Sequence, residues 1–177
     1  MKIQCIDDFL PGDIFDELVE LCFSTQIPWN YADHAVYEGD NTPLLAHSLY
    51  KNHKPESNFF DDFVDAIECI PDLNSLIRLR LSTKIKGSEL YTTQYHLDII
   101  DENDVPADVK ICIIHLNTCD GYTEVKDHQG QEHKFSNVAN RAIFFPNTYY
   151  HRGSNTTDQN LRIVLNVVYQ WRCKGNW

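Results

Sequence analysis

At Leu76 the spacing of apolar residues changes from every third or fourth position to every second, and this change constrains the fold more than any other feature of the chain. Ahead of it, Ile14, Phe15, Leu18, Val19, Leu21 and Cys22 recur at helical spacing after a turn-rich stretch, with Asp13 placed as an N-cap and Asp16 and Glu17 suited to the positive helix end. Phe59, Phe60, Phe63, Val64, Ile67 and Ile70 form a second helical set that stops at Pro71. Residues 28–55 between them read as a long loop carrying Trp29, Tyr31, Tyr37 and Tyr50. Beyond Leu76, Ile77, Leu79, Leu81 and Thr83 alternate with Arg78, Arg80 and Ser82, a strand with the first set turned to the core. Further strands are expected over 91–97, 110–116, 122–126, 132–135, 141–145 and 161–170, with a hairpin turn at Asp127-His128-Gln129-Gly130. Helices followed by about seven short strands predict an α+β chain whose C-terminal part is a sandwich or barrel. No repeat or linker divides it, so one domain over 1–177 is expected, with helical and loop support in 1–75 and a strand-built core in 76–171.

The formal charge of -11 at pH 7 disfavours a broad nucleic-acid or anionic-lipid surface. All of it lies in residues 1–70, where three Lys face fourteen acids; residues 71–177 balance at twelve of each sign. The six cysteines form no Cys-x-x-Cys pair, and the chain has neither a secretory-signal pattern nor eighteen successive apolar residues. Reduced thiols in a cytoplasmic protein without a membrane segment are the expectation.

Chemistry concentrates in the second half. His96 and Asp98 lie two apart at the end of an expected strand, where alternate side chains share a face and both could reach one metal ion. A third ligand from a distant strand would complete a two-His-one-carboxylate facial triad. Alone the pair means little, because eight His and seventeen Asp in this length give roughly one such pair by chance. His151 follows the strand candidate at 141–145 and precedes a turn-rich stretch. Eleven residues on, Arg162 opens the most apolar run of the chain, Ile163-Val164-Leu165-Asn166-Val167-Val168-Tyr169. A guanidinium beside such a run calls for an anion or an edge position. His115, inside an apolar strand, reads as a packed core histidine; His128 and His133 flank a hairpin tip. Arg152 reads as solvent-facing, and Arg78 and Arg80 as partners of the acidic helices or of an anionic substrate.

The stretch from about Leu76 to Trp171 resembles the 2-oxoglutarate- and Fe(II)-dependent oxygenases, in particular the prolyl-4-hydroxylase-like branch and its small phage-encoded members. The matching pieces, in order, are His96-Leu97-Asp98, His115-Leu116-Asn117 with Asp120-Gly121-Tyr122-Thr123-Glu124, Asn140-Arg141-Ala142-Ile143-Phe144-Phe145, His151 with Gly153, and Arg162-Ile163-Val164-Leu165-Asn166. The resemblance implies a double-stranded β-helix (jelly roll) buttressed by N-terminal helices, with His96, Asp98 and His151 on Fe(II) and Arg162, joined by Thr123, on the 2-oxoglutarate co-substrate. It implies O2-dependent hydroxylation of a protein side chain or small molecule, releasing succinate and CO2. The chain departs from many relatives in having Arg rather than Lys at 162 and, beside that Arg, Val164 in place of Ser; Ser82 stands where small relatives often carry Asn. A non-catalytic jelly-roll module binding a metal or ligand is the alternative. The loop around Trp29, Tyr31 and Tyr37 and the insertion at 101–109 are expected to rim the mouth.

Overall fold

The computed structural model describes residues 2–34, 42–100 and 105–172. Strand β1 (Gln4–Ile6) leads to helix α1 (Gly12–Phe23), then β2 (Asn30–Ala32), β3 (Leu44–Lys51), β4 (Lys54–Pro55), a 3-10 turn (Asp61–Phe63) and α2 (Val64–Glu68). Seven strands follow: β5 (Leu73–Ile85), β6 (Val109–His115), β7 (Tyr122–Lys126), β8 (Glu132–Ser136), β9 (Arg141–Pro146), β10 (Tyr150–Gly153) and β11 (Leu161–Trp171). They build two antiparallel sheets. The larger runs β1-β9-β6-β11-β5-β3-β2 with β4 on β3, and the smaller runs β10-β7-β8. This is an α+β fold with a double-stranded β-helix core and helices packed outside the larger sheet.

Both faces of the larger sheet are covered, which is why its central strands are almost continuously apolar. On the outer face Leu79, Leu81, Cys112, Ile114, Phe144, Ile163, Leu165 and Tyr169 pack with Leu18, Cys22, Phe63 and Ala66 of the helical layer. On the inner face Ile111, Ile113, Ile143, Phe145, Val164 and Val168 meet Val125 of the smaller sheet. A bulge lets β5 serve both: pairing with β11 steps from Val168↔Arg78 to Tyr169↔Leu76, leaving Ile77 without a partner in the register. Leu76 therefore joins the outer cluster, whereas Ile77, expected beside Leu79, packs into the inner one.

Other local expectations change as well. Asp13 does not cap α1. The first helical bond runs from Phe15 N to the Pro11 carbonyl, so Pro11 is the cap residue and Asp13 falls inside the first turn. The stretch read as a loop over 28–55 contains β2, β3 and β4, and β3 lies directly against β5. Residues 91–97 are not a regular strand: only Thr92↔Ser154 and His96↔His151 are bridged to it. Side chains replace the missing ladder, Asn155 bonding Tyr91 N and Glu89 O, and Asn147 bonding both N and O of Ile99. The hairpin at Gly130 forms as expected, with φ +79 at that glycine.

Cys5, Cys22, Cys69, Cys112 and Cys119 are free thiols; Cys173 lies outside the described residues, as do Tyr37 and positions 101–104 of the insertion. Among the described residues no helix is long and apolar enough to cross a membrane.

Candidate metal centre

His96 and His151 face each other across a bridge in which each donates its backbone N–H to the other's carbonyl, both at 3.0 Å. In an antiparallel pair this exchange fixes the two Cα atoms at about 5.5 Å, which brings the imidazoles together on one face. Their ring centroids lie 4.3 Å apart. Two residues along, Asp98 points to the same place: its carboxylate lies 3.7 Å from His151 Nε2 and 4.0 Å from His96 Nε2. The ligand atoms of all three fall within 4.8 Å of one another, the one such group of metal-ligand type among the described residues.

The chemistry of these donors fits a divalent transition metal. His96 Nδ1 donates to the Gln94 carbonyl at 3.1 Å, which leaves the Nε2 lone pair facing Asp98. Burial, reinforced by the neighbouring His96, pulls the His151 pKa down to about 3, and burial also lowers that of His96, so both imidazoles stay neutral and able to ligate. Burial alone would raise the pKa of Asp98. The Arg78 guanidinium, helped by Arg80, outweighs it and holds the carboxyl well below the usual range. Arg78 Nη2 meets Asp98 Oδ1 at 2.6 Å, and Asn166 Nδ2 donates to Oδ2 at 3.0 Å while its own Oδ1 accepts from Arg78 at 3.1 Å. Arg78 thus belongs to this centre and not to the acidic helices. Asn166 entered the sequence reading only as part of the Arg162–Asn166 match, with no role, although a polar residue on the Arg162–Val164 face of so apolar a run was the signal that could have found it.

A pocket with about 610 Å³ of space, part of it open to solvent, extends from the triad along β5 and β11. Arg162 closes its inner end, 5% exposed. Its Nη2 donates to Thr123 Oγ1 at 2.8 Å and Nη1 to the Ser154 carbonyl at 3.3 Å; Nε has no partner, and no described carboxylate pairs with it. The Thr123 hydroxyl, which accepts from the guanidinium, also lies within hydrogen-bond distance of His115 Nε2 at 3.2 Å. The structure thus brings together all five expected site residues, the triad at one end of the pocket and the Arg162–Thr123 pair at the other. Ser82 also lines the pocket, its Oγ buried without a partner.

Two glycines make room for Arg162. A Cβ at 121 would lie 2.5 Å from the Asn155 carbonyl oxygen and 2.7 Å from Arg162 Cδ, and one at 153 would lie 3.2 Å from Nη1. Gly121→Ala presses on backbone and is expected to destabilise the protein by about 2 kcal/mol, read from urea denaturation, whereas Gly153→Ala moves only the guanidinium and should leave the unfolding midpoint nearly unchanged. Equal losses from both would contradict this account.

Other expected residues fall elsewhere. Arg152 is half-buried, its Nε 2.5 Å from Glu124 Oε2 and its guanidinium 4.3 Å above the Tyr95 ring, so the solvent-facing reading is wrong. Trp29 packs on the outer core cluster and not at a rim. Tyr31 is exposed beside a shallow groove formed with Leu45, Ile85 and Tyr91. His133 pairs with Asp127 at 3.0 Å, and His128 packs edge-on against Tyr149, so neither joins a metal group.

His115 is fully buried, and burial, reinforced by Arg162 and Arg141, holds its pKa well below 6.5. The unfolded chain takes up a proton there near pH 6.5 that the folded chain refuses. The contribution is therefore complete above that pH and is lost on acidification, by up to about 1.4 kcal/mol per pH unit for one group. In urea titrations of metal-chelated protein between pH 7.5 and 5, His115→Gln should show a shallower decline than the wild type; identical slopes would rule out the neutral buried imidazole.

No sequence family model matches the chain, and no curated protein matches it. Solved structures do. A prolyl-4-hydroxylase from Pseudomonas putida superposes with a TM-score of 0.68 at 16% identity, covering 97% of this chain and 93% of that one. An oxidoreductase of the 2OG-Fe(II) oxygenase family from Burkholderia pseudomallei gives 0.67 at 14% identity, over 95% of this chain and 84% of that one. The viral collagen prolyl hydroxylase of Paramecium bursaria Chlorella virus-1, solved with 2OG, gives 0.58 at 16% identity over 97% of both chains. At these identities the likeness establishes a shared fold, the double-stranded β-helix that the strand order describes.

Proposed function

We propose that the chain is an Fe(II)- and 2-oxoglutarate-dependent dioxygenase, acting as a single oxygenase domain, that hydroxylates a small molecule or a protein side chain. The observation that carries this reading is the pairing, within one pocket, of a neutral-His, ionised-Asp triad with a buried arginine that has no carboxylate of its own. The bound metal with 2-oxoglutarate and O2 would supply the conversion of a C–H bond to C–OH with release of succinate and CO2. His96, Asp98 and His151 would hold Fe(II). Arg78 and Asn166 keep the Asp98 carboxylate ionised and fixed in rotation, so that its oxygens stay directed at the imidazoles. Arg162, steadied by Thr123, would take the distal carboxylate of the oxo acid. Ile113 and Val164 line the pocket between these ends and limit water there. The prolyl hydroxylases and the 2OG-Fe(II) oxygenase of the same fold support this chemistry.

Anaerobic titration with Fe(II) and then 2-oxoglutarate is expected to develop the visible charge-transfer absorption of a metal-chelated oxo acid, followed in air by succinate release. His96→Ala should abolish both. Absence of metal-dependent co-substrate binding in the wild type would dispose of the reading; slow succinate release alone would not, because turnover without the substrate is uncoupled.

A further inference from the structure

We infer that Arg80 is a second anion-binding residue of the pocket, one that holds the carboxylate or phosphate group of a small anionic substrate beside the metal centre. The inference rests on the oxygenase reading for what the anion does there, and on geometry for the site itself.

On β5 the residues Arg78, Arg80, Ser82 and Lys84 alternate towards the pocket, opposite Val168, Asn166, Val164 and Arg162 of β11. Every other cationic group on this wall is engaged. Arg78 is bonded to Asp98, Arg152 to Glu124, and Lys84 lies 5.1 Å over the Tyr91 ring with Nζ 3.5 Å from the Gly153 carbonyl. Arg162 is the candidate for the oxo acid. Arg80 lines the same pocket, with no carboxylate within ion-pair distance among the described residues and a buried Nε that makes no hydrogen bond. Asp98 is close enough to stabilise its charge electrostatically, but the Asp98 oxygens are committed to Arg78 and Asn166. A half-buried guanidinium with an unpaired, enclosed Nε and no anion carries a desolvation cost that a bound anion would offset. Burial, helped by repulsion from Arg78, lowers its pKa only to about 10, so the charge persists at neutral pH.

The oxo acid does not remove this surplus. Its two carboxylates would go to the metal and to Arg162, whereas Arg80 stands level with Asn166, whose amide bonds the metal-ligating Asp98. An anion on Arg80 would therefore sit next to the metal centre, only a few bonds from the carbon to be oxidised. That depth favours a short organic acid or phosphate ester. Charge distribution favours it too: the acid excess of residues 1–70 repels an extended polyanion and has little effect on a single small anion that enters the cationic pocket.

The test uses full-length ¹⁵N-labelled protein loaded with redox-inert Zn(II) and saturated with 2-oxoglutarate. Lactate and inorganic phosphate serve as separate probes. The side-chain Nε–Hε resonances of Arg80 and Arg162 are assigned by their loss in Arg80→Gln and Arg162→Gln. The Arg80 resonance should shift with at least one probe at millimolar concentration, the stronger probe identifying carboxylate or phosphate, while the Arg162 resonance responds to 2-oxoglutarate. Calorimetry should give at least a tenfold loss of probe affinity in Arg80→Gln, with 2-oxoglutarate affinity held within about twofold and partial recovery in Arg80→Lys. No shift of the Arg80 resonance with either probe up to ~20 mM would overturn the inference, as would a loss of 2-oxoglutarate affinity in Arg80→Gln equal to that of Arg162→Gln. If 2-oxoglutarate fails to bind the wild type while a probe still shifts the Arg80 resonance, the oxygenase reading fails and the anion site stands.

Discussion

Arg162→Leu is expected to lose at least 100-fold in 2-oxoglutarate affinity while leaving the ligand-free protein as stable as the wild type or more so. The two effects have one origin. The guanidinium is buried between Gly121 and Gly153 with a hydroxyl and a backbone carbonyl as its partners and an Nε that bonds nothing. Without a carboxylate, it carries a desolvation penalty in the resting protein that only an incoming anion relieves. Burial already lowers its pKa to about 10. Removing it takes away both the penalty and the charge-assisted pair, a loss of about 3 kcal/mol in ligand binding. Calorimetry with Fe(II) under anaerobic conditions would read the affinity, and urea denaturation of the same samples the stability. A residue with a purely structural role would lower both together, and that outcome would remove Arg162 from the co-substrate site.

Asp98→Ala should do the reverse, damaging fold and metal binding at once. Its carboxylate is almost fully enclosed and takes bonds from Arg78 and Asn166. Truncation leaves Arg78 partly buried without an anion, a change that typically destabilises by about 3–5 kcal/mol. Metal affinity should fall by more than the ~10–100-fold caused by losing an outer hydrogen-bonding partner. Adding Arg78→Met separates the two effects: the double variant should recover most of the unfolding free energy and none of the metal affinity. Recovery of both, or of neither, would contradict the assigned roles.

Which parts were legible in the sequence follows from which interactions are local. Strands β6, β9 and β11 announce themselves because both faces are apolar, and the hairpin between β7 and β8 because Gly130 adopts a backbone that other residues resist. The His-x-Asp pair, His151, Thr123 and Arg162 were visible as residue types in a fixed order, and the structure places them in one pocket. Strand β3 was hidden, because its sequence mixes polar and aromatic residues and its pairing depends on β5, about thirty residues away. The switch at Ile77 escaped because a bulge leaves no trace in simple alternation. Arg78 was misassigned for a related reason. Its partner Asp98 is brought to it by the isolated His96–His151 bridge, a long-range contact, and the acid-rich helices were the more obvious counterions.

The backbone exchange between His96 and His151 has a consequence for how such a protein can change over evolutionary time. Two of the three candidate ligand positions are set by main-chain bonds that any residue but proline can make, so a single codon change at 96 or 151 removes a metal-ligand side chain without dismantling the bridge that holds the site open. The pocket, with Arg80 and Arg162 still in place, would then persist as a receptor for small anions. In this architecture a metal-holding pocket and an anion receptor are one substitution apart.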